Sequence, residues 1–336
     1  MTITTTEQDF ATLVEPLRRE LLAHCYRMTG SLHDAEDALQ ETYLRAWRGI
    51  DRFEARSSLR TWLYRIATNT CLTHLEGRSR RPLPTGLGAP AADPAVEPRE
   101  EHSVAWLEPL PDDVVWAHPT ADPAAEVVTR DSVRLAFVAA LQHLTAQQRA
   151  VLVLRDVLQW SAAEVADTLD LTVAGVNSTL QRARAHVARL DHERRGELTD
   201  DRRRRLLEAY VDAFEAYDVD AIVALMTQDV VWEMPPYPGW YQGRAAVATL
   251  ISTWCPAKGP GSMRLLPTSA NGQPAFGVYM LEADGVHRAF QLAVLDLGEG
   301  GVHHATVWFG VEHLVACGLP AELPPPGAGA AAVDAR

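Results

Sequence analysis

The stretch Ser161 to Arg184, SAAEVADTLDLTVAGVNSTLQRAR, constrains this chain more than any other. It reads as two short helices joined by a tight turn. Ser161 and Glu164 have the spacing of a capping box, which satisfies two orphan donors at a helix start. Val165, Ala166 and Leu169 give the first helix an inward face. Asp170-Leu171 falls at the turn, and Asp tolerates left-handed backbone better than most residues. Thr172 can cap the second helix. Val176 and Leu180 anchor that helix and leave Asn177, Ser178, Gln181 and Arg182 outward, with Arg184 at its basic end. A helix-turn-helix places such a helix against base edges in the major groove. The pattern points to DNA without saying what kind of DNA-binding protein carries it.

A chain of 336 residues is long enough for two or three domains. The net charge of −13 runs against a nucleic-acid binder, which normally shows a basic footprint. Position resolves part of this conflict. Between Asp93 and Asp131 stand ten acidic residues against Arg99 and Arg130, so this segment carries −8 of the total. The remainder is mildly acidic, which implies that a partner supplies much of the DNA affinity. Cys25, Cys71, Cys255 and Cys317 are scattered without metal-ligand spacing, as suits a reducing compartment. The first ten residues lack a signal-peptide pattern and no apolar run reaches membrane-span length, so a cytoplasmic protein is expected.

Residues 8–80 show a helical pattern. Residues 81–130 are rich in Pro, Ala and acid, a composition that predicts an extended, poorly ordered connector, with Trp106 and Trp116 as docking points. Residues 131–192 are helical again. After the charged run from Glu193 to Arg205 the pattern changes. An amphipathic helix with Leu206, Leu207, Tyr210, Val211 and Phe214 on one stripe is followed by a short helix from Asp220 to Met226. Strand patterns then cover Val230–Met234, Arg264–Thr268, Ala275–Glu282, His287–Leu297 and Val302–Val311. A helix from Arg244 to Trp254 lies between the first strand and the rest, and a turn at Gly298–Gly301 joins the last two. This predicts an α+β unit over 203–316 and a disordered tail over 317–336.

In the first block, DAEDALQETYLRAW (34–47) is amphipathic: Ala35, Ala38, Leu39, Thr42 and Ala46 face inward, while Asp37, Gln40, Glu41 and Arg45 face outward. FEARSSLRTWLYRIATN (53–69) runs from a small-residue loop into a helix that mixes Arg60 and Arg65 with Trp62 and Tyr64. Basic and aromatic groups together suit single-stranded DNA, whose bases need stacking surfaces.

With these residues in view, the chain resembles the extracytoplasmic-function (group IV) sigma factors of bacterial RNA polymerase. The resemblance implies that 8–80 is region 2 and 131–192 is region 4, two all-α domains. Asp34, Asp37, Gln40 and Glu41 would dock on the polymerase β′ subunit. Arg56, Ser57, Ser58, Leu59, Trp62, Arg65 and Asn69 would open the −10 element and hold its flipped base. Thr172, Asn177, Ser178, Gln181, Arg182 and Arg184 would read the −35 element. The acidic connector would thread the polymerase channels, and the partners would be the β and β′ subunits and promoter DNA. Many members carry a Lys and an Arg in the recognition helix where this chain has Asn177 and Thr179, so weaker phosphate affinity and a shifted base preference are expected. Arg78, Arg80 and Arg81 would form either a charged helix end or a phosphate contact. Arg184 would meet either phosphate or an acidic neighbour.

Residues 203–316 resemble the SnoaL-like branch of the NTF2-like fold, a cone of helices on a bent sheet. The resemblance implies a domain that modulates sigma activity, without catalysis and without a cofactor or metal. A candidate pocket for a small apolar ligand comprises Trp232, Met234, Trp240, Trp254, His287, Phe290 and Trp308. Glu233, His287, Gln291, His303 or His304 would be its polar members. His303 and His304 cannot both point inward from one strand, which disfavours a paired metal site. The alternative reading is a helix-turn-helix transcription regulator whose C-terminal domain senses a ligand or acts as an isomerase- or cyclase-like enzyme.

Overall fold

The computed structural model describes residues 7–53, 57–116, 131–190 and 198–324. Contacts divide the chain into two units. The first comprises residues 1–82 and 107–193; the second comprises 83–106 and 194–336.

In the first unit, α1 (Glu7–Val14), α2 (Arg18–Thr29), α3 (Leu32–Gly49) and α4 (Leu59–Leu75) come first, and α2, α3 and α4 pack on one another. Local chemistry sets the breaks. Gly30 ends α2 in left-handed conformation, φ 72°, donating its N–H to the Tyr26 carbonyl. A Cβ at Gly30 would lie 2.9 Å from the Gln142 side-chain nitrogen, so glycine is needed for both conformation and space. Ser31 then caps α3 by accepting from the Asp34 N–H at 3.1 Å. Ala35, Ala38, Leu39, Thr42 and Ala46 are all buried, as their spacing predicts. Ser58 caps α4 through the Thr61 N–H.

The chain re-enters this unit at Leu107, whose N–H donates to the Pro82 carbonyl at 3.1 Å. Then come α5 (Asp112–Trp116), α6 (Leu135–Gln142), α7 (Ala146–Leu152), a π-helical turn over Val153–Val157, α8 (Ala162–Leu169) and α9 (Val173–Leu190). The Ser161–Glu164 capping box is formed, and Asp170 ends α8 at φ 52°, ψ 51°. Thr172 Oγ1 accepts from the Gly175 N–H, and Val176, Leu180 and Ala183 are buried.

Two buried guanidinium groups join the early and late helices. Arg27 of α2 donates to the Ser132 hydroxyl and carbonyl. Arg149 of α7 donates to the carbonyls of Leu141 and Leu144 and, across to α2, that of Met28. Both are almost fully enclosed, and burial pulls each pKa down to about 10.

The second unit contains α10 (Asp200–Glu215), α11 (Val219–Ala224), α12 (Arg244–Trp254) and α13 (Val311–Ala316) around a seven-stranded mixed sheet. Its strands are β1 (Met226–Glu233), β2 (Trp240–Gln242), β3 (Met263–Ala270), β4 (Gln273–Leu281), β5 (His287–Gly298), β6 (Gly301–Phe309) and β7 (Glu322–Leu323). The order is β2-β1-β6-β5-β4-β3, with β7 on β5 and the β1–β6 pair parallel. Tyr210 and Phe214 of α10 stack over Phe276 and Trp232, placing the core between helices and sheet. Gly301 is required at the β5–β6 turn, because a Cβ there would sit 2.1 Å from the Leu225 carbonyl oxygen.

Two departures from sequence expectation concern order. The Pro-rich stretch 83–106 is not a free connector: it packs into the second unit. Residues 317–324 of the expected disordered tail are ordered instead, with β7 paired to β5; the rest of that stretch lies outside the described residues. The short strands β2 and β7, of three and two residues, carry too few positions for alternation to be read.

Candidate nucleic-acid interface

On α9, Asn177, Ser178, Gln181 and Arg182 are exposed, opposite the buried Val176, Leu180 and Ala183. Arg182 donates to the Ser178 hydroxyl at 3.0 Å and the Thr179 hydroxyl at 3.2 Å, so its guanidinium lies along the exposed face. Thr179 is buried. Arg184 pairs with Asp156 through contacts of 2.6 and 2.9 Å. Its pKa is raised by that hydrogen bond and the carboxylate charge. Of its two expected partners, the structure provides the acidic neighbour.

The residues expected at the −10 element lie on α4 and the loop before it, apart from Arg56, which falls outside the described residues. Ser57 precedes the cap, Ser58 is the cap itself, and Leu59 opens the helix. Trp62 packs on Phe53 with ring centroids 5.0 Å apart and lies against Gly49, so it shapes the loop. Asn69 is exposed. Arg65 is half-buried and donates to the Asp167 carboxylate of α8, so a residue expected to face DNA is engaged by the helix-turn-helix. Tyr64 and Trp160 meet at 6.4 Å across the same junction.

Of the four expected docking residues on α3, Asp37 and Gln40 are exposed. Glu41 accepts from Arg45 at 2.7 Å, which lowers its pKa. Asp34 is held more tightly. One of its oxygens accepts from Arg78 at 2.9 Å and the other from Arg81 at 2.8 Å. Burial alone would raise its pKa, but these two guanidinium groups outweigh burial and the net shift is downward. Arg81 also donates to Glu108 at 3.2 Å, and Glu108 accepts the Leu32 N–H at the start of α3. This clasp was not legible in the sequence, since its members lie far apart in the chain; only the arginine cluster at 78–81 hinted at it.

The candidate ligand residues of the second unit do not converge. Trp232 and Met234 belong to the core beneath the helices. Trp308 lies on the other sheet face, because its neighbour Val307 points into that core. His287 is buried and its Nε2 lies 3.0 Å from the Gly261 carbonyl. Phe290 packs edge-on against Phe309. Trp240 and Trp254 each donate an indole N–H to the 83–106 segment. Glu233 is fully buried; Oε1 lies 2.6 Å from His304 Nε2, and Oε2 accepts the Thr85 N–H at 3.0 Å. Among the described residues no cluster of His, Cys, Asp and Glu could hold a metal ion, and no helix is long and apolar enough to cross a membrane.

Comparison with known proteins matches this architecture block by block. Residues 13–81 match Sigma-70 region 2, residues 134–187 match Sigma-70 region 4, and residues 207–308 match the SnoaL-like domain. ECF RNA polymerase sigma factor SigG of Mycobacterium tuberculosis is 57% identical over 318 residues, covering 94% of this chain and 85% of SigG. The chain belongs to the ECF RNA polymerase sigma factors. SigJ of the same organism is 30% identical over 218 residues, covering 65% of this chain and 62% of SigJ. The crystal structure of SigJ aligns at a TM-score of 0.61 with 24% identity, covering 92% of this chain and 100% of that one, and so shares its fold. This sigma factor therefore acts with core RNA polymerase to direct promoter-specific initiation, and is an initiation subunit rather than an enzyme. The stand-alone regulator reading does not survive, since it has no use for a region 2.

Proposed function

We propose a residue-level assignment of this activity. Asn177, Ser178, Gln181 and Arg182 read the −35 element from the exposed face of α9. Ser57, Ser58, Leu59, Arg65 and Asn69, with Arg56 next to them in sequence, engage the opened −10 strand over a platform shaped by Trp62. Asp34, Asp37, Gln40 and Glu41 dock on the polymerase. The observation that carries the assignment is the recognition helix: a polar face on a helix fixed by three buried residues, with left-handed Asp170 setting the turn. Side-chain amides suit adenine edges, so Asn177 and Gln181 would favour A·T pairs within the −35 element. The SnoaL-like unit modulates this activity in cis. The grip of Trp240 and Trp254 on main-chain carbonyls favours a polypeptide occupant over the small apolar ligand that its aromatic content suggests.

Run-off transcription with core enzyme and promoters selected from random sequence tests the assignment. Substituting Asn177 or Gln181 by Ala should relax preference at one or two −35 positions and leave the −10 preference intact. Unchanged −35 preference in both variants would refute the assignment.

A further inference from the structure

The first turn of α9 ends in an apolar tip that its polar reading face does not explain. Val173, the first residue of the helix, is 47% exposed, and Ala174 beside it is exposed as well. Thr172, which precedes them, is used as the cap and accepts the Gly175 N–H at 3.0 Å. The side chains that α9 buries are others: Val176, Thr179, Leu180 and Ala183. A single exposed valine is ordinary on a protein surface. Position sets this one apart. Side chains four residues apart lie on adjoining turns of one helix face, so Val173, Asn177 and Gln181 form one row and Ala174, Ser178 and Arg182 the next. All six are exposed. The two rows therefore pass from hydrocarbon at the N-terminal end of the helix to amides, a hydroxyl and a guanidinium. The N-terminal residues of a recognition helix are those that meet base edges in the major groove. Thymine alone among the four bases presents a methyl group on that edge, at C5.

We propose that Val173 is a specificity-determining residue of the −35 contact, its isopropyl group packing on the C5 methyl of a thymine beside the pairs read by Asn177 and Gln181. The inference rests on the assignment of α9 to the −35 element above. Four helical residues rise about 6 Å, close to two base-pair steps of about 3.4 Å each. The thymine therefore lies within about two base pairs of the base that Asn177 holds. Apolar contact also suits a reading face short of cations. Of the six residues in the two rows only Arg182 is charged, so few phosphates can be neutralised from them and burial of hydrocarbon supplies part of the affinity.

Thymine-to-uracil exchange in the promoter tests this, because deoxyuridine lacks the C5 methyl and keeps every hydrogen-bonding group. Each thymine of the selected upstream element is replaced in turn, and holoenzyme affinity is measured at fixed salt. One or two replacements should weaken binding by about 3- to 5-fold, the effect of withdrawing one methyl from an apolar contact. Val173→Ala should weaken binding to the unmodified promoter by a similar factor and make the enzyme indifferent to those same replacements. Val173→Ile should keep the sensitivity. Val173 stands outside the buried set, so neither substitution opens a cavity. A parent holoenzyme that binds every uracil-substituted promoter as tightly as the original, or a Val173→Ala enzyme that loses as much as the parent on the same replacements, would overturn the proposal. The −35 assignment survives that result where Asn177→Ala still relaxes the upstream preference. Unchanged upstream preference in both Asn177→Ala and Gln181→Ala would overturn the two together.

Discussion

His24 makes region 2 acid-labile in a defined pH window. It is wholly buried in α2, with Nε2 3.0 Å from the Thr68 hydroxyl and its ring edge-on to Tyr64. Burial, with a smaller push from Arg27, lowers its pKa from 6.5 to about 3. The folded state thus holds a neutral imidazole where the unfolded chain would take up a proton. Below pH 6.5 the unfolded state binds more protons, so stability falls as pH falls, by about 1.4 kcal/mol per unit. The contribution is fully present above pH 6.5. About 2 kcal/mol is lost by pH 5, and the whole effect, of order 4 to 5 kcal/mol, is lost near pH 3. Asp34 has the same sign, but its depressed pKa acts only below the ordinary carboxylate range, so the interval from 6.5 to 5 isolates histidine. Urea unfolding of the full chain, followed by exchange of α2 and α4 amides corrected for intrinsic pH dependence, gives the slope. His24→Gln keeps a polar partner for Thr68 and removes the titration. It should flatten the difference between pH 7 and pH 5 by about 2 kcal/mol relative to the parent chain. Equal slopes in the two proteins would refute the reasoning.

Further outcomes follow from other contacts. Asp170→Gly relieves a non-glycine residue at φ 52° and should leave stability unchanged or raise it by up to about 1 kcal/mol in thermal unfolding, whereas Asp170→Val should lower it by 1–2 kcal/mol or about that. Asp156→Asn frees the Arg184 guanidinium, and the slope of log affinity against log salt on −35 DNA should steepen by about one unit in the holoenzyme. Asp167→Ala removes a solvent-facing partner of Arg65; because such pairs contribute about 0–1 kcal/mol, the change in opening should be no more than about 5-fold by fluorescence energy transfer between the two modules.

The helices of the fold were legible because they rest on local rules. The capping box at Ser161, the inward set on α3 and the helix over 244–254 are each fixed by spacing within a few turns. The strand patterns of the second unit were legible to within a few residues where alternation ran long enough. The segment 83–106 was not legible, since its composition reads as unable to bury itself. Its order comes from donors and acceptors supplied 130 to 160 residues away, on Glu233, Pro236, Trp240 and Trp254. Separations of 102 and 47 residues likewise hid the pairing of Arg65 with Asp167 and of Asp34 with Arg81. In both pairs the residue type marked a charged surface, while the neutralising partner lay elsewhere: Asp167 on α8, and Arg81 in the loop that follows α4. Glu233 and His304 were noted as polar members of an aromatic pocket, but their register, which sets them beside each other on the sheet face opposite the core under α10, required the β1–β6 pairing.

The central claim is that the exposed face of α9 and the region 2 surface together select a promoter for core polymerase. Promoter selection from a random pool by the reconstituted holoenzyme, repeated with Gln181→Ala, tests it most directly. The account predicts two conserved elements whose centres are about 25 base pairs apart, with the variant altering only the upstream one. A pool without an upstream element, or a variant whose upstream preference matches that of the parent chain, would contradict it.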